Sequence, residues 1–196
     1  IDEDAQRDNR LSAKLFGIAR VPVVKNLIQN AKSAARLSET ACLQATASEF
    51  IQEMDDTSTY IVGPGTTTQL LFKHLDLTGT LMGVDVIQCG KILCRDANEV
   101  ELLSIVKNNP AKIVLGVVGG QGFVLGRGNQ QISAPVIEQV GTRNIVVISS
   151  IEKLLGLPRN RILVDTGSSK LDAMLSGFTP VRTAPRTTTM TRVDAA

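Results

Sequence analysis

The residues best suited to chemistry in this 196-residue sequence lie in two glycine-containing loops. The first, Gly63-Pro64-Gly65-Thr66-Thr67-Thr68, separates the apolar run Tyr60-Ile61-Val62 from residues that predict a helix. Glycine lets a backbone turn tightly and approach a ligand, and free N–H groups at a helix start attract anions. Three hydroxyl groups add donors, so the spacing predicts a phosphate or carboxylate cradle formed by Gly63, Gly65, Thr66 and Thr67. The alternative is an ordinary glycine turn with a threonine N-cap, and no Gly-Lys-Ser/Thr follows to make a Walker A loop.

The second loop, Gly119–Gln131, follows Lys112–Val118, the most apolar predicted strand. Five glycines within ten positions are unfavourable in backbone entropy, so structure or function must require them. Arg127 can pair with a phosphate in a bidentate manner, and the carboxamides can hydrogen-bond a ribose or a base edge. The alternative is a flexible surface loop. The predicted ligand contacts are Gly119, Gly120, Gln121, Gly122, Arg127, Asn129 and Gln130.

Two acidic residues, Asp85 and Asp165, are the catalytic candidates. Asp85 lies within the predicted strand 81–87, and Asp165 is the last residue of the predicted strand 161–165, at its exit. A carboxylate there can bind Mg²⁺ or orient a hydroxyl group for attack. The alternatives are a helix cap or Asx turn for Asp165 and a buried structural acid for Asp85. The three cysteines form no CxxC pair and there is one histidine, so no metal site made of these residues is expected.

Helices and strands alternate along most of the chain. Besides the runs named above, the sequence predicts helices at 38–54, 66–75, 97–108, 134–140, 150–156 and 168–176, and strands at 91–94, 144–148 and 178–183. Such alternation predicts an α/β fold with a mostly parallel sheet and helices on both faces, in three layers. Ligands of such sheets bind beyond the carboxyl ends of strands, where both loops and Asp165 are expected.

Composition narrows the function classes. The net charge is +2 and aromatic residues make up only 3%, so neither a general nucleic-acid binder nor a base-stacking platform is expected. No apolar run is long enough to span a membrane, and free thiols suit the cytoplasm. We expect a connecting segment over 1–58 that ends a missing nucleotide-binding domain, an α/β phosphate- or nucleotide-binding domain over 59–184, and a flexible tail over 185–196.

Five stretches together resemble the bacterial ATP-NAD kinase-like family: Tyr60–Thr67, Leu81–Val86, Asp96–Glu99, Gly119–Gln131 and Leu163–Gly167. The opening Ile1–Asp4 and Leu11–Phe16 also fit the middle of that family, so the resemblance covers nearly the whole chain. It implies phosphorylation of NAD to NADP by ATP or polyphosphate, with Mg²⁺. The family's Gly-Gly-Asp-Gly-Thr motif, on an amino-terminal domain, does not occur in this sequence. We therefore expect a carboxyl-terminal portion that is inactive without that domain, and the sequence leaves a homodimer open.

A fainter resemblance concerns the order of the motifs. The order is a strand, the motif Gly-Pro-Gly-Thr-Thr, a helix, and then the motifs Gly-Val-Asp-Val and Gly-Gly-Gln-Gly. This order is similar to that of ribose-5-phosphate isomerase-like domains, which bind sugar phosphates on such loops. Two alternatives therefore remain beside the kinase. One is a sugar-phosphate isomerase with Asp85 as base, and the other is a ligand-sensing domain without catalysis.

Overall fold

The computed structural model describes residues 33–118 and 120–196. Residues 1–32 of the connecting segment expected over 1–58, and the predicted ligand contact Gly119, lie outside the described residues. The helices are α1 Ser33–Gln52, α2 Gln69–His74, α3 Glu99–Val106, α4 Ala134–Val140, α5 Ile151–Leu155 and α6 Ser169–Leu175. The strands are β1 Thr59–Val62, β2 Asp85–Gln88, β3 Lys91–Cys94, β4 Ala111–Gly116, β5 Phe123–Leu125, β6 Ile145–Ile148, β7 Arg161–Val164, β8 Gly177–Ala184 and β9 Thr187–Ala195.

Nine strands in the described part of the chain form one sheet, in the order β3-β2-β1-β4-β6-β8-β9-β7-β5. The pairs β1–β4, β4–β6, β6–β8, β9–β7 and β7–β5 are parallel. The pairs β1–β2, β2–β3 and β8–β9 are antiparallel. The predicted mostly parallel sheet is confirmed, and so is the strand expected at 91–94, which forms an antiparallel hairpin with β2.

Helices cover both faces of this sheet, as predicted. Along β1, Ile61 belongs to a core shared with apolar residues of α3, α4, α5 and α6. Its neighbours Tyr60 and Val62 belong to a second core, which contains Ala47 and Phe50 of α1 and two residues of α2. This alternation follows from the two-residue period of a strand, and it makes three layers. None of the helices in the described ranges is both long and apolar enough to cross a membrane.

The flexible tail expected over 185–196 is wrong. Residues Thr187–Ala195 form β9, which pairs with β8 on one side and with β7 on the other. Thr191 and Val193 are buried, since alternate residues of β9 face the core. The many threonines suggested a solvated segment, but a β-branched side chain also suits a half-buried strand.

Candidate functional site

The loops that follow β5 and β7 meet and line an open pocket of about 280 Å³. The amide of Asp165 donates a hydrogen bond to the carbonyl of Leu125 at 3.2 Å, which joins the two loops where they leave their strands. The loop 119–131 and the acid Asp165 were both candidates from the sequence, and the parallel pairing of β5 with β7 brings them together. The pocket is lined by Gly126, Gln130, Ile132, Asp165, Thr166 and Gly167.

Gly126 is the point of closest approach between the two loops. A Cβ atom built on it would lie 1.8 Å from the carbonyl oxygen of Asp165, and its φ of 90° disfavours a side chain. A larger residue therefore cannot occupy this position without moving the backbone after β7. The requirement for glycine at this position is therefore structural.

The loop after β7 is held from behind by a buried acid. The Oδ1 atom of Asp172, on α6, accepts hydrogen bonds from the backbone N–H of Thr166 at 2.9 Å and from its hydroxyl at 2.7 Å. Asp172 is only 8% exposed. By contrast, the side chain of Asp165 is exposed, and it makes no hydrogen bond or ion pair with any described residue. Its carboxylate is therefore available to a ligand in the pocket.

Asn129 shapes the loop after β5. Its Nδ2 donates to the carbonyl of Val124 at 2.9 Å, and its Oδ1 accepts from the amide of Gly126 at 3.0 Å. Because Asn129 is buried and both the nitrogen and the oxygen of its carboxamide are hydrogen-bonded to the loop backbone, its clearest role is to hold the turn. Contact between Asn129 and a ligand stays a prediction, whereas Gln130 lines the pocket as that prediction requires.

Arg127 lies beside the pocket and is exposed. Its guanidinium carbon is 4.6 Å from the centre of the Phe123 ring, a cation–π distance. Arg127 makes no ion pair with any described residue. Its N–H groups are therefore free to meet a phosphate next to the pocket.

The turn before β5 depends on two glycines with positive φ, Gly120 at 76° and Gly122 at 78°. A Cβ atom on Gly122 would lie 3.1 Å from the carbonyl oxygen of Arg161, and the carbonyl of Gly122 accepts a hydrogen bond from the amide of Leu163. Gly122 thus allows β5 to pair with β7. Gln121 is exposed at the tip of the turn. The predicted loop 119–131 is therefore wrong as a continuous loop, because β5 interrupts it.

The loop after β1 contributes no lining residue to this pocket, although Gly63 lies near one residue that does line it. A Cβ atom on Gly63 would lie 2.8 Å from Cδ2 of Leu115 and 4.0 Å from Cδ1 of Ile132, which lines the pocket. Gly65 has a φ of 119°, in agreement with the tight turn expected there. Of the threonines, Thr66 is exposed, whereas Thr67 is only 7% exposed. A ligand contact by either residue stays a prediction, and the exposed hydroxyl of Thr66 fits it better.

Asp85 lies outside the pocket and has a different environment. It is 1% exposed, and its carboxylate accepts hydrogen bonds from the amide of Thr80, the hydroxyl of Thr80 and the amide of Asp96, at 2.5, 2.8 and 2.9 Å. These bonds hold residues 80–84 as a loop, so the strand expected over 81–87 begins only at Asp85. These bonds agree with the alternative of a buried structural acid, and a catalytic role for Asp85 stays a prediction.

The described residues contain no group of three or more His, Cys, Asp or Glu side chains that could hold a metal ion. Asp165 offers a single carboxylate. Such a site suits an Mg²⁺ ion that arrives with phosphate groups, because Mg²⁺ in phosphoryl transfer is commonly held by one or two carboxylates and the phosphates themselves.

Five residues of the site were not among the predicted contacts: Gly126, Ile132, Thr166, Gly167 and Asp172. Thr166 stands in the stretch Leu163–Gly167 that carries the family resemblance, so its position was a usable signal. No local pattern distinguishes Asp172, because a polar residue on a short helix is ordinarily solvated. Its burial against Thr166 appears only when α6 packs behind the loop.

The family model described as "ATP-NAD kinase C-terminal domain" matches residues 55–193, which is most of the chain. The chain therefore belongs to this family. The resemblance found in the sequence is confirmed, as is the interpretation of the chain as a carboxyl-terminal part of an NAD kinase-like protein. No curated protein and no solved structure shows a match to the chain.

Proposed function

We propose that this chain, a member of the ATP-NAD kinase C-terminal domain family, forms one side of the dinucleotide site of a phosphotransferase that converts NAD to NADP. The observation that supports this most directly is the meeting of the Gly126 and Asp165 loops around one pocket. Both loops belong to the stretches that resemble the family, and Asp165 presents an unpaired carboxylate. NADP biosynthesis of this kind would be a cytoplasmic activity.

Phosphoryl transfer depends chiefly on positioning and on neutralising charge, and little covalent chemistry is left to the protein. In this proposal Asp165 accepts a hydrogen bond from a sugar hydroxyl and so fixes its orientation. Arg127, beside the pocket, pairs with a phosphate, and the exposed glycine turn at Gly120 lets backbone approach the phosphates closely. The phosphoryl donor is ATP or polyphosphate.

Mg²⁺ would come with the donor's phosphates. Asp165 is the described side chain that would help to hold the ion, which would supply neutralisation of the phosphate charge. The motif Gly-Gly-Asp-Gly-Thr, which the family carries on its amino-terminal domain, does not occur in these 196 residues. We therefore propose that the chain alone binds nucleotide but does not transfer phosphate.

Calorimetric titration of the 196-residue chain with NAD, ATP and ribose 5-phosphate, each with Mg²⁺, tests the proposal. We expect NAD or ATP to bind and Asp165→Asn and Arg127→Ala to weaken that binding. Asp56→Asn is the matched control for the first variant, because Asp56 is also exposed but lies before β1, outside the pocket lining. An assay for NADP should show no product from the chain alone.

Two results would count against this function. If neither NAD nor ATP binds, the described pocket is not part of a dinucleotide site. If ribose 5-phosphate alone binds, the sugar-phosphate alternative takes the place of the kinase. Binding that Asp165→Asn and Asp56→Asn reduce equally would place the ligand elsewhere on the chain.

A further inference from the structure

The charges around the pocket are unusual for a site expected to bind phosphate. Of the six residues that line it, Asp165 is the only ionisable one. Behind the loop, Asp172 is buried, and the partners of its carboxylate are the neutral N–H and hydroxyl groups of Thr166. Two carboxylates therefore flank Thr166, and no described cation forms an ion pair with either of them.

The basic residues nearby in sequence do not compensate these charges. Arg127 lies over the ring of Phe123, and it is not among the residues that line the pocket. Lys170, in the first turn of α6, is exposed and makes no ion pair with either acid. In the absence of Mg²⁺, a phosphoryl group inside the pocket would therefore meet negative charge with no positive partner among the described residues, which is unfavourable even where water screens the interaction.

The same groups suit a neutral sugar. An unpaired carboxylate is a strong acceptor for hydroxyl groups, and carboxylates bind the ribose diol in other dinucleotide sites. Gln130 adds a carboxamide that can donate and accept, and its side chain makes no hydrogen bond to a described residue. Ile132 supplies an apolar wall against which a sugar ring can pack.

We propose that the pocket between Gly126 and Asp165 is a subsite for an unphosphorylated sugar diol, and that it disfavours the same sugar once a phosphoryl group is attached. If the chain has the proposed function, on which this consequence rests, the site would bind NAD more tightly than NADP. It would then favour release of the phosphorylated product. The selectivity itself is a binding property of this chain.

Adenosine and adenosine 2′-monophosphate test the subsite, because they differ only by a phosphoryl group on one hydroxyl of the diol. Amide NMR spectra of the 196-residue chain report binding at Thr166 and Gly167 directly. We expect adenosine to shift these two amides and the monophosphate to bind more weakly there. Asp165→Asn, which keeps the shape but removes the charge, should narrow the ratio of the two affinities by about three- to tenfold, as expected for one charge near a phosphate at a hydrated site. Asp56→Asn should leave the ratio unchanged.

Several outcomes would overturn the subsite: no shift at Thr166 or Gly167 with either probe, equal or tighter binding of the monophosphate there, or a ratio that Asp165→Asn does not alter. These results can be told apart from failure of the kinase function. If adenosine binds in the pocket while NAD and ATP do not bind the chain, the subsite stands and the kinase function fails. If NAD binds but adenosine shifts other amides, the subsite fails and the kinase function stands.

Discussion

Replacement of Gly126 by alanine tests the close approach on which the site depends. The added Cβ atom would lie 1.8 Å from the carbonyl oxygen, 2.6 Å from the carbonyl carbon and 2.9 Å from the Cβ atom of Asp165. All three atoms belong to the start of one loop, and two of them are backbone atoms. The loop after β7 must therefore move by more than an ångström, or the turn after β5 must open.

Gly128 provides the matched control. It has a φ of 78°, close to the 90° of Gly126, but a Cβ atom built on it meets nothing within 4 Å. Gly128→Ala should therefore lower the free energy of unfolding only by the cost of a positive φ, about 1–2 kcal/mol. Gly126→Ala has the same positive-φ cost and adds the steric clash. We therefore expect it to lower the free energy of unfolding by about 4 kcal/mol or more, in the range of severe core substitutions. That is a large fraction of the ~5–15 kcal/mol by which a typical domain is stable.

Urea denaturation of the wild type and both variants measures the two free energies of unfolding. Amide NMR spectra of folded Gly126→Ala protein should also show shifts at Asp165, Thr166 and Gly167, which the Gly128→Ala spectrum should lack. Equal destabilisation by the two substitutions would refute the argument, because the clash would then contribute nothing. Unchanged amides in the loop after β7 would likewise show that the two loops do not meet at Gly126.

Two further substitutions test roles that lie outside the pocket. Asp85→Asn removes the carboxylate charge that accepts three hydrogen bonds. Urea denaturation should therefore show a free energy of unfolding that is lower by about 1–3 kcal/mol. Unchanged stability would contradict a structural role. Hydrogen bonds from Thr57, and then from Ser58, hold the pKa of Asp55 well below its usual range. A lowered folded pKa stabilises the protein above the unfolded pKa of about 3.9, and this contribution is lost as pH falls towards the folded value. Thermal unfolding should therefore show Asp55→Asn less stable than wild type at pH 7 and the difference shrinking below about pH 4; a difference constant with pH would refute this.

Much of the fold could be read from the sequence, because it depends on local patterns. The apolar run at Lys112–Val118 and the shorter run at Tyr60–Val62 predicted β4 and β1 within about one or two residues of their bounds. The amphipathic pattern over 97–108 predicted α3, which begins after Asn98 with a capping box. Periodicity and caps act over a few residues, so they are visible without knowledge of the partner elements.

The sequence was less informative where a segment's structure depends on a distant partner. Thr187–Ala195 forms a strand because β7 and β8 offer pairing on both sides, and the threonine-rich sequence alone is equally typical of a solvated tail. In the same way, β5 exists because the glycine turn at Gly120–Gly122 brings Phe123–Leu125 beside β7.

For the site, the sequence by itself determined the chemistry available: glycines that permit tight turns, the carboxyl groups of Asp85 and Asp165, and the family to which these motifs belong. Tertiary structure decided which of those residues share one pocket and which do not. It separated Asp85 from Asp165 by burying the first among three hydrogen-bond donors and leaving the second unpaired. It also placed Asp172 behind Thr166 and Gly126 against Asp165, because contacts between distant segments are set by the packing of the sheet and helices and not by local sequence.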